Sequence, residues 1–222
     1  SLRSAAVSTA AALVTLAVTI DPIGLAPIFV ALTRGMTDLQ RRQTAIRATI
    51  TAMLVLLAFA LVGEKLITFL GISIPAFRIA GGLLLFRIAF EMVFERRDKR
   101  KQASADRAIE ETSFDQDDVR HLAIFPLAIP LISGPGAISA TILIASGAPD
   151  TLSLLGLLVI VALLILSCLL VFMAAGPLDR ALGDTGRIVL TRLLGVLLAA
   201  LSVQFVADGI VAIAKTAFPG AL

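Results

Sequence analysis

Apolar residues in this chain do not alternate with polar ones at a strand or surface-helix period. They run on, and polar residues gather where the runs stop. Runs of this length predict helices that cross a hydrocarbon layer, because a core of about 30 Å takes roughly 20 helical residues. Six spans are predicted: residues 5–33, 45–63, 75–94, 121–148, 151–175 and 187–218. After the second, a short amphipathic tail over 64–70 is expected to lie at the surface. Pro75 opens the third span, and Gly176-Pro177 is expected to close the fifth. Two spans are interrupted internally, the first at Asp21-Pro22 and the fourth at Ser133-Gly134-Pro135-Gly136. The stretch 95–120 is basic first and acidic after, and reads as a solvated linker.

Composition agrees with a lipid environment. Of 222 residues 58% are hydrophobic and only 16% charged, too little polar surface for a soluble domain of this size. A single cysteine, Cys168, and a single histidine, His121, exclude an internal disulfide and histidine- or cysteine-cluster metal sites, so no metal or organic cofactor is expected. No cleavable signal is expected, since the first apolar stretch is long and lacks a small-residue cleavage pattern. The net charge of +3 does not point to nucleic acid, because the basic residues sit at the edges of apolar runs. Arg34, Arg41, Arg42, Arg47, the linker cations, Arg120, Arg180 and Arg187 fall on one side, against Arg3, Lys65 and Lys215 on the other. The first side is therefore expected to be cytoplasmic, with both termini outside.

Sliding the chain on itself by 113 residues brings Pro22 onto Pro135, Gly63 onto Gly176, Gly82 onto Gly195 and Glu91 onto Gln204. A shared offset across three spans predicts two copies of a three-span unit, 1–94 and 121–222, joined by the linker 95–120. An odd number of spans per copy inverts the second relative to the first. The predicted fold is thus all-α integral membrane, six transmembrane helices as two inverted three-helix repeats, with the first and fourth spans discontinuous. Interruptions at corresponding places of inverted repeats point to the binding site of a secondary transporter.

Asp21-Pro22 reads as an N-cap followed by proline at the first helical position, so a second half-helix starts inside the first span. Gly134-Pro135 repeats this with glycine as the cap. Asp21 lies 13 residues from Arg34, and Ser133 lies 13 from Arg120, which puts both breaks about 20 Å from the charged edge. Backbone amides at that depth cannot be left to lipid. Asp21 can satisfy the amides after Pro22 itself and leaves a negative charge near the midplane. Gly134 offers no side-chain oxygen, so the amides of Gly136 and Ala137, with the Ser133 hydroxyl, are free for an anionic group. A small zwitterionic solute fits both ends, and Pro22, Ile23, Gly24 and Pro135 complete the candidate substrate site. The competing reading is that both prolines only kink packed helices.

Arg87 and Glu91 lie one turn apart in the third span, either a local structural pair or a functional one. Gln204 and Asp208 follow on the sixth at the same spacing, as one polar stripe facing the interior. With Asp21, these four are the candidates for coupling or gating. Arg78 and Arg192 are expected to snorkel to the interface, His121 to sit at the cytoplasmic mouth, and Cys168 to pack in the core.

Several stretches resemble the MarC family of bacterial inner-membrane proteins, also described as small neutral amino acid transporters. They are Asp21-Pro22-Ile23-Gly24 through Pro27-Ile28-Phe29, Gly71-Ile72-Ser73-Ile74-Pro75 with Arg78-Ile79-Ala80-Gly81-Gly82, Pro126-Leu127-Ala128-Ile129-Pro130 with Ser133-Gly134-Pro135-Gly136, and Gly195 with Val203-Gln204-Phe205 through Gly209-Ile210. The resemblance implies a six-span inverted-repeat fold in the inner membrane and uptake of glycine, alanine or similar amino acids, with coupling to H+ or Na+ left open. Family members often carry Asn where this chain has Asp21. Homo-oligomerisation is also left open. Alternatives are an exporter of amino acids or other small metabolites, a channel, and a non-transporting membrane scaffold. An intramembrane protease is not expected. Ser133 and His121 share one span about 18 Å apart, no Gly-x-Ser-x-Gly elbow exists, and Asp21 is the one clearly deep aspartate.

Overall fold

The computed structural model describes residues 2–33, 35–94 and 123–217. The linker, Arg34, Arg120 and His121 lie outside these, so the expectations for them stay with the sequence. Every element among the described residues is helical. Four segments there are long and apolar enough to cross a membrane, at Ala10–Leu32, Asp38–Phe69, Thr151–Met173 and Ile188–Ala217.

The first predicted span is divided into α1 (Leu2–Ile20) and α2 (Pro22–Leu32). The second is one helix, α3 (Asp38–Phe69), begun by a capping box of Thr37 and Gln40. The tail expected over 64–70 is the end of this helix rather than a separate surface piece, because Gly63 is not at a terminus but against the Ile142 side chain. The buried side of α3 carries Ala45, Ala48, Ala52 and Ala60, small residues that let neighbouring backbones approach. The third is α4 (Ile74–Val93), with Ser73 as its N-cap. It has the length to cross but carries Arg78, Arg87 and Glu91, which keeps it out of the purely apolar class.

The fourth predicted span departs most from expectation. Its first half, Ala123–Ile132, is π-helical, and only after Gly134 does an α-helix start, α5 (Pro135–Ser146). Pro126 and Pro130 have no amide to donate, and a proline ring is incompatible with the carbonyl four residues back. The widened turn is seen at the end of the segment, where the Ser133 amide donates to the carbonyl of Ala128, five residues back, at 2.8 Å.

Helix α6 (Thr151–Met173) matches the fifth span. The loop expected from Gly176-Pro177 onward is instead helical, and α7 runs from Ala175 to Ala217. Proline in the first turn of a helix removes a donor that has no partner there, so this pair opens α7 rather than closing α6.

Packing is crosswise. Helix α1 lies on α5, and α2 on the π-helical segment, so the first half of each interrupted segment meets the second half of the other. Helix α3 packs on the π-helical segment and α5, while α6 packs on α1 and α2. Phe29 of α2 stacks on Phe172 of α6, ring centroids 4.5 Å apart. The buried core is built around these contacts from Leu16, Ile20, Leu25, Leu56, Leu127 and Ile132.

Helices α4 and α7 form an antiparallel pair with their backbones close together. A side chain at Gly82 would come within 2.9 Å of the Ser202 carbonyl and meet Val206. One at Gly195 would come within 3.1 Å of the Ala89 carbonyl and meet Val93. The two contacts are carried into each other by the shift of 113 residues. The outer surface is apolar, with Leu54, Leu61, Leu163, Leu170, Leu197 and Val203 all exposed, as a lipid-facing surface requires.

Candidate functional site

Each interruption separates two half-segments, and each half packs on the opposite half of the other segment. At the first, Asp21 ends α1 and starts α2 in a single residue. Its amide still donates to the carbonyl of Ala17, and its own carbonyl accepts from Leu25. Pro22 disfavours the right-handed helical conformation at the residue before it, and Asp21 takes the left-handed one, φ 54 and ψ 65. Among the described residues it is the one non-glycine with positive φ. Aspartate tolerates that region better than most side chains. The carboxylate folds over the start of α2, and Oδ1 accepts from the Gly24 amide at 3.1 Å. A side chain at position 24 would occupy the space of that carboxylate, so Gly24 is what makes the cap possible. Asp21 is 5% exposed, and Pro22 and Ile23 are half-buried.

At the second interruption Gly134 is extended, φ −72 and ψ 169, and no side-chain hydrogen bond caps α5. The Ser133 hydroxyl, expected to face a ligand, donates across to the Ala52 carbonyl of α3 at 3.2 Å and is buried. Gly136 and Ala137 are buried, Gly134 is half-buried and Pro135 is exposed. The place a side chain would take at Gly136 holds the end of Ile88 from α4, with Leu85 nearby. Sequence reasoning missed Ile88 and the Ala52 carbonyl, since no motif marks either one.

The other candidates are not gathered at the crossing. Arg87 Nε lies 3.2 Å from Glu91 Oε1, but the arginine side chain is 73% exposed whereas Glu91 is buried. Gln204 Nε2 donates to Asp208 Oδ1 at 2.8 Å, and both residues are exposed. The stripe expected to face the interior lies on the outer face of α7, because its opposite face is taken by α4. Arg78 is half-buried beside Gly147, and Arg192 is exposed. Cys168 is fully buried in α6. Among the described residues no cluster of three or more His, Cys, Asp or Glu could hold a metal ion.

The family model described as "MarC family integral membrane protein" matches residues 7–214. A UPF0056 membrane protein of Buchnera aphidicola subsp. Acyrthosiphon pisum (strain APS) is 37% identical, with 91% of this chain and 90% of that protein covered. A UPF0056 membrane protein of Archaeoglobus fulgidus is 40% identical, covering 90% and 91%. One of Escherichia coli (strain K12) is 36% identical, covering 91% and 90%. No solved structure matches.

Proposed function

The chain belongs to the MarC family of integral membrane proteins, and from that premise we propose that it is a secondary transporter of small neutral amino acids of the glycine and alanine class. The observation that carries this reading is the crossing of two interrupted segments, one helix start covered by a buried carboxylate and the other capped by no side chain. Unlike charges at the two ends of a small zwitterion complement that pair. The substrate carboxylate goes to the amides of Gly136 and Ala137, and its ammonium toward Asp21. Ile88 is then the side chain that rotates away from Gly136 to admit the substrate. Proton coupling through Asp21 is the second half of the proposal.

The accompanying architecture is two inverted three-span halves in the cell membrane with both termini outside. The reciprocal contacts of Gly82 and Gly195, and the exchange by which α3 and α6 each embrace the other half's interrupted segment, support it. Uptake of labelled glycine and alanine into proteoliposomes tests the function. Saturable uptake that rises with an inward proton gradient and is lost in Asp21→Asn is expected. Absence of saturable flux in either direction, with protein that remains monodisperse, rejects transport. Efflux from preloaded vesicles distinguishes import from export.

A further inference from the structure

Along the last span, Arg192 and Lys215 are both exposed and stand 23 residues apart, about 35 Å on a helix, enough to bracket the hydrocarbon core. Between them the exposed residues are apolar with two exceptions, Gln204 and Asp208. Gln204 is 12 residues from Arg192 and 11 from Lys215, about 18 and 16 Å from them, which is the midplane. Asp208 is one turn further on. An amide and a carboxyl facing acyl chains at that depth are costly, and such residues ordinarily face protein or water.

These residues are on the side of α7 turned away from the rest of the chain. The opposite side, with Gly195, Ser202 and Gly209, is pressed on α4. Leu197, Ala200, Gln204, Ala207, Asp208 and Val211 recur at helical spacing on the outer side, and all are exposed. The two alanines leave room for a second helix to come close, the usual basis of helix association in lipid.

We propose that this face is the contact between two copies of the chain, with the α7 helices side by side around a two-fold axis along the membrane normal. The occupant follows from the hydrogen-bonding balance of Gln204. Its amide has two N–H donors and one carbonyl acceptor, and one donor is spent on Asp208 of the same helix. A second copy inserts with the same orientation and carries an identical amide at the same depth. The remaining N–H of each Gln204 can then donate to the Gln204 carbonyl of the other copy, a reciprocal pair that uses the donor and acceptor Asp208 leaves over. Acyl chains at that depth supply neither group. The contact does not depend on what the protein transports.

Cysteines at Ala200 and Ala207, one at a time in the full chain, test the proposal in native membranes under oxidation. The unsubstituted chain is the blank, since its Cys168 is buried, and Leu163→Cys on the exposed side of α6 is the control face. Disulfide-linked dimer at 200 and 207 but not at 163 is expected. Gln204→Leu should weaken dimerisation in lipid dilution by about tenfold, the loss of the reciprocal pair. Ala207→Phe should weaken it without touching the amide. Thermal unfolding of the monomer confirms that each variant folds. Equal or absent cross-linking at all three positions overturns the proposal. So does rapid labelling of residues 200 and 207 in intact cells by a charged, membrane-impermeant maleimide, which would make the face an aqueous wall.

Discussion

The start of α2 and the start of α5 are built from the same two ingredients, a short polar residue or glycine and then a proline, yet they end in opposite electrostatic states. At Asp21 the helix carries its own anion, held in place because position 24 has no side chain. At Gly134 the backbone is relaxed and extended, the neighbouring hydroxyl of Ser133 is committed to α3, and the helix start is left to whatever approaches it. A third start sharpens the contrast. Asp150 caps α6 at an exposed position with φ −151, and Ser153, through its side chain first and then its amide, holds the Asp150 carboxyl below the usual carboxylate range. Asp150 can be extended because nothing precedes it but a loop. Asp21 must end one helix while opening the next, and the left-handed conformation does both. A break is therefore not a site in itself; what distinguishes the two is which of them is already satisfied.

Removing the carboxylate from the first break should have the largest effect. Asp21→Ala loses the cap and leaves an alanine in the left-handed region, a combined destabilisation of about 2 kcal/mol in reversible unfolding in detergent. Asp21→Asn should stay within roughly 0.5 kcal/mol of the parent, because asparagine caps and tolerates positive φ as well as aspartate does. A loss of uptake in that variant then reports charge rather than folding. Gly24→Ala comes next, at about 1–2 kcal/mol, since the new methyl evicts the carboxylate. Its cost should not add to that of Asp21→Ala, because both remove one cap, and a double-mutant cycle measures this directly. Full additivity would mean that Gly24 serves something other than the cap.

Ser133→Ala should cost about 1 kcal/mol through the lost bond to the Ala52 carbonyl, measured in the same unfolding assay. Gly134→Ser is the smallest in stability and the most informative in function. A serine there gives α5 the side-chain acceptor it lacks, so the protein should gain a few tenths of a kcal/mol. If the uncapped amides hold the substrate, the KM for uptake should rise at the same time. A stabilised variant with unchanged KM would make the two breaks equivalent in function.

The places where the chain had to break were legible before any coordinates, because Asp-Pro and Gly-Pro act on the backbone locally. The conformation at Asp21 was not, since it depends on two helices meeting in one residue. The π-helical turn before the second break had its signal in Pro126 and Pro130, four residues apart, but an interruption at Gly134 alone explained the sequence equally well. Gln204 and Asp208 lie on the outer side of α7, opposite to the interior face that their stripe predicts. In a soluble helix the polar face marks the outside, but in lipid both faces are apolar and the pattern does not say which one packs.

The order of residues alone carries the membrane-embedded character of the chain, the interruption of two of its apolar segments, and the recurrence of proline and glycine at one offset. Each of these rests on a local property: hydrophobicity over the length of a span, a missing amide, a missing side chain. It took the packed molecule to show that the interrupted segments lie half on opposite half, that Ile88 rather than Ser133 stands over Gly136, and that the outer stripe of α7 is exposed. Those are choices among packings that bury similar apolar surface, and close contacts such as Gly82 on the Ser202 carbonyl select one of them.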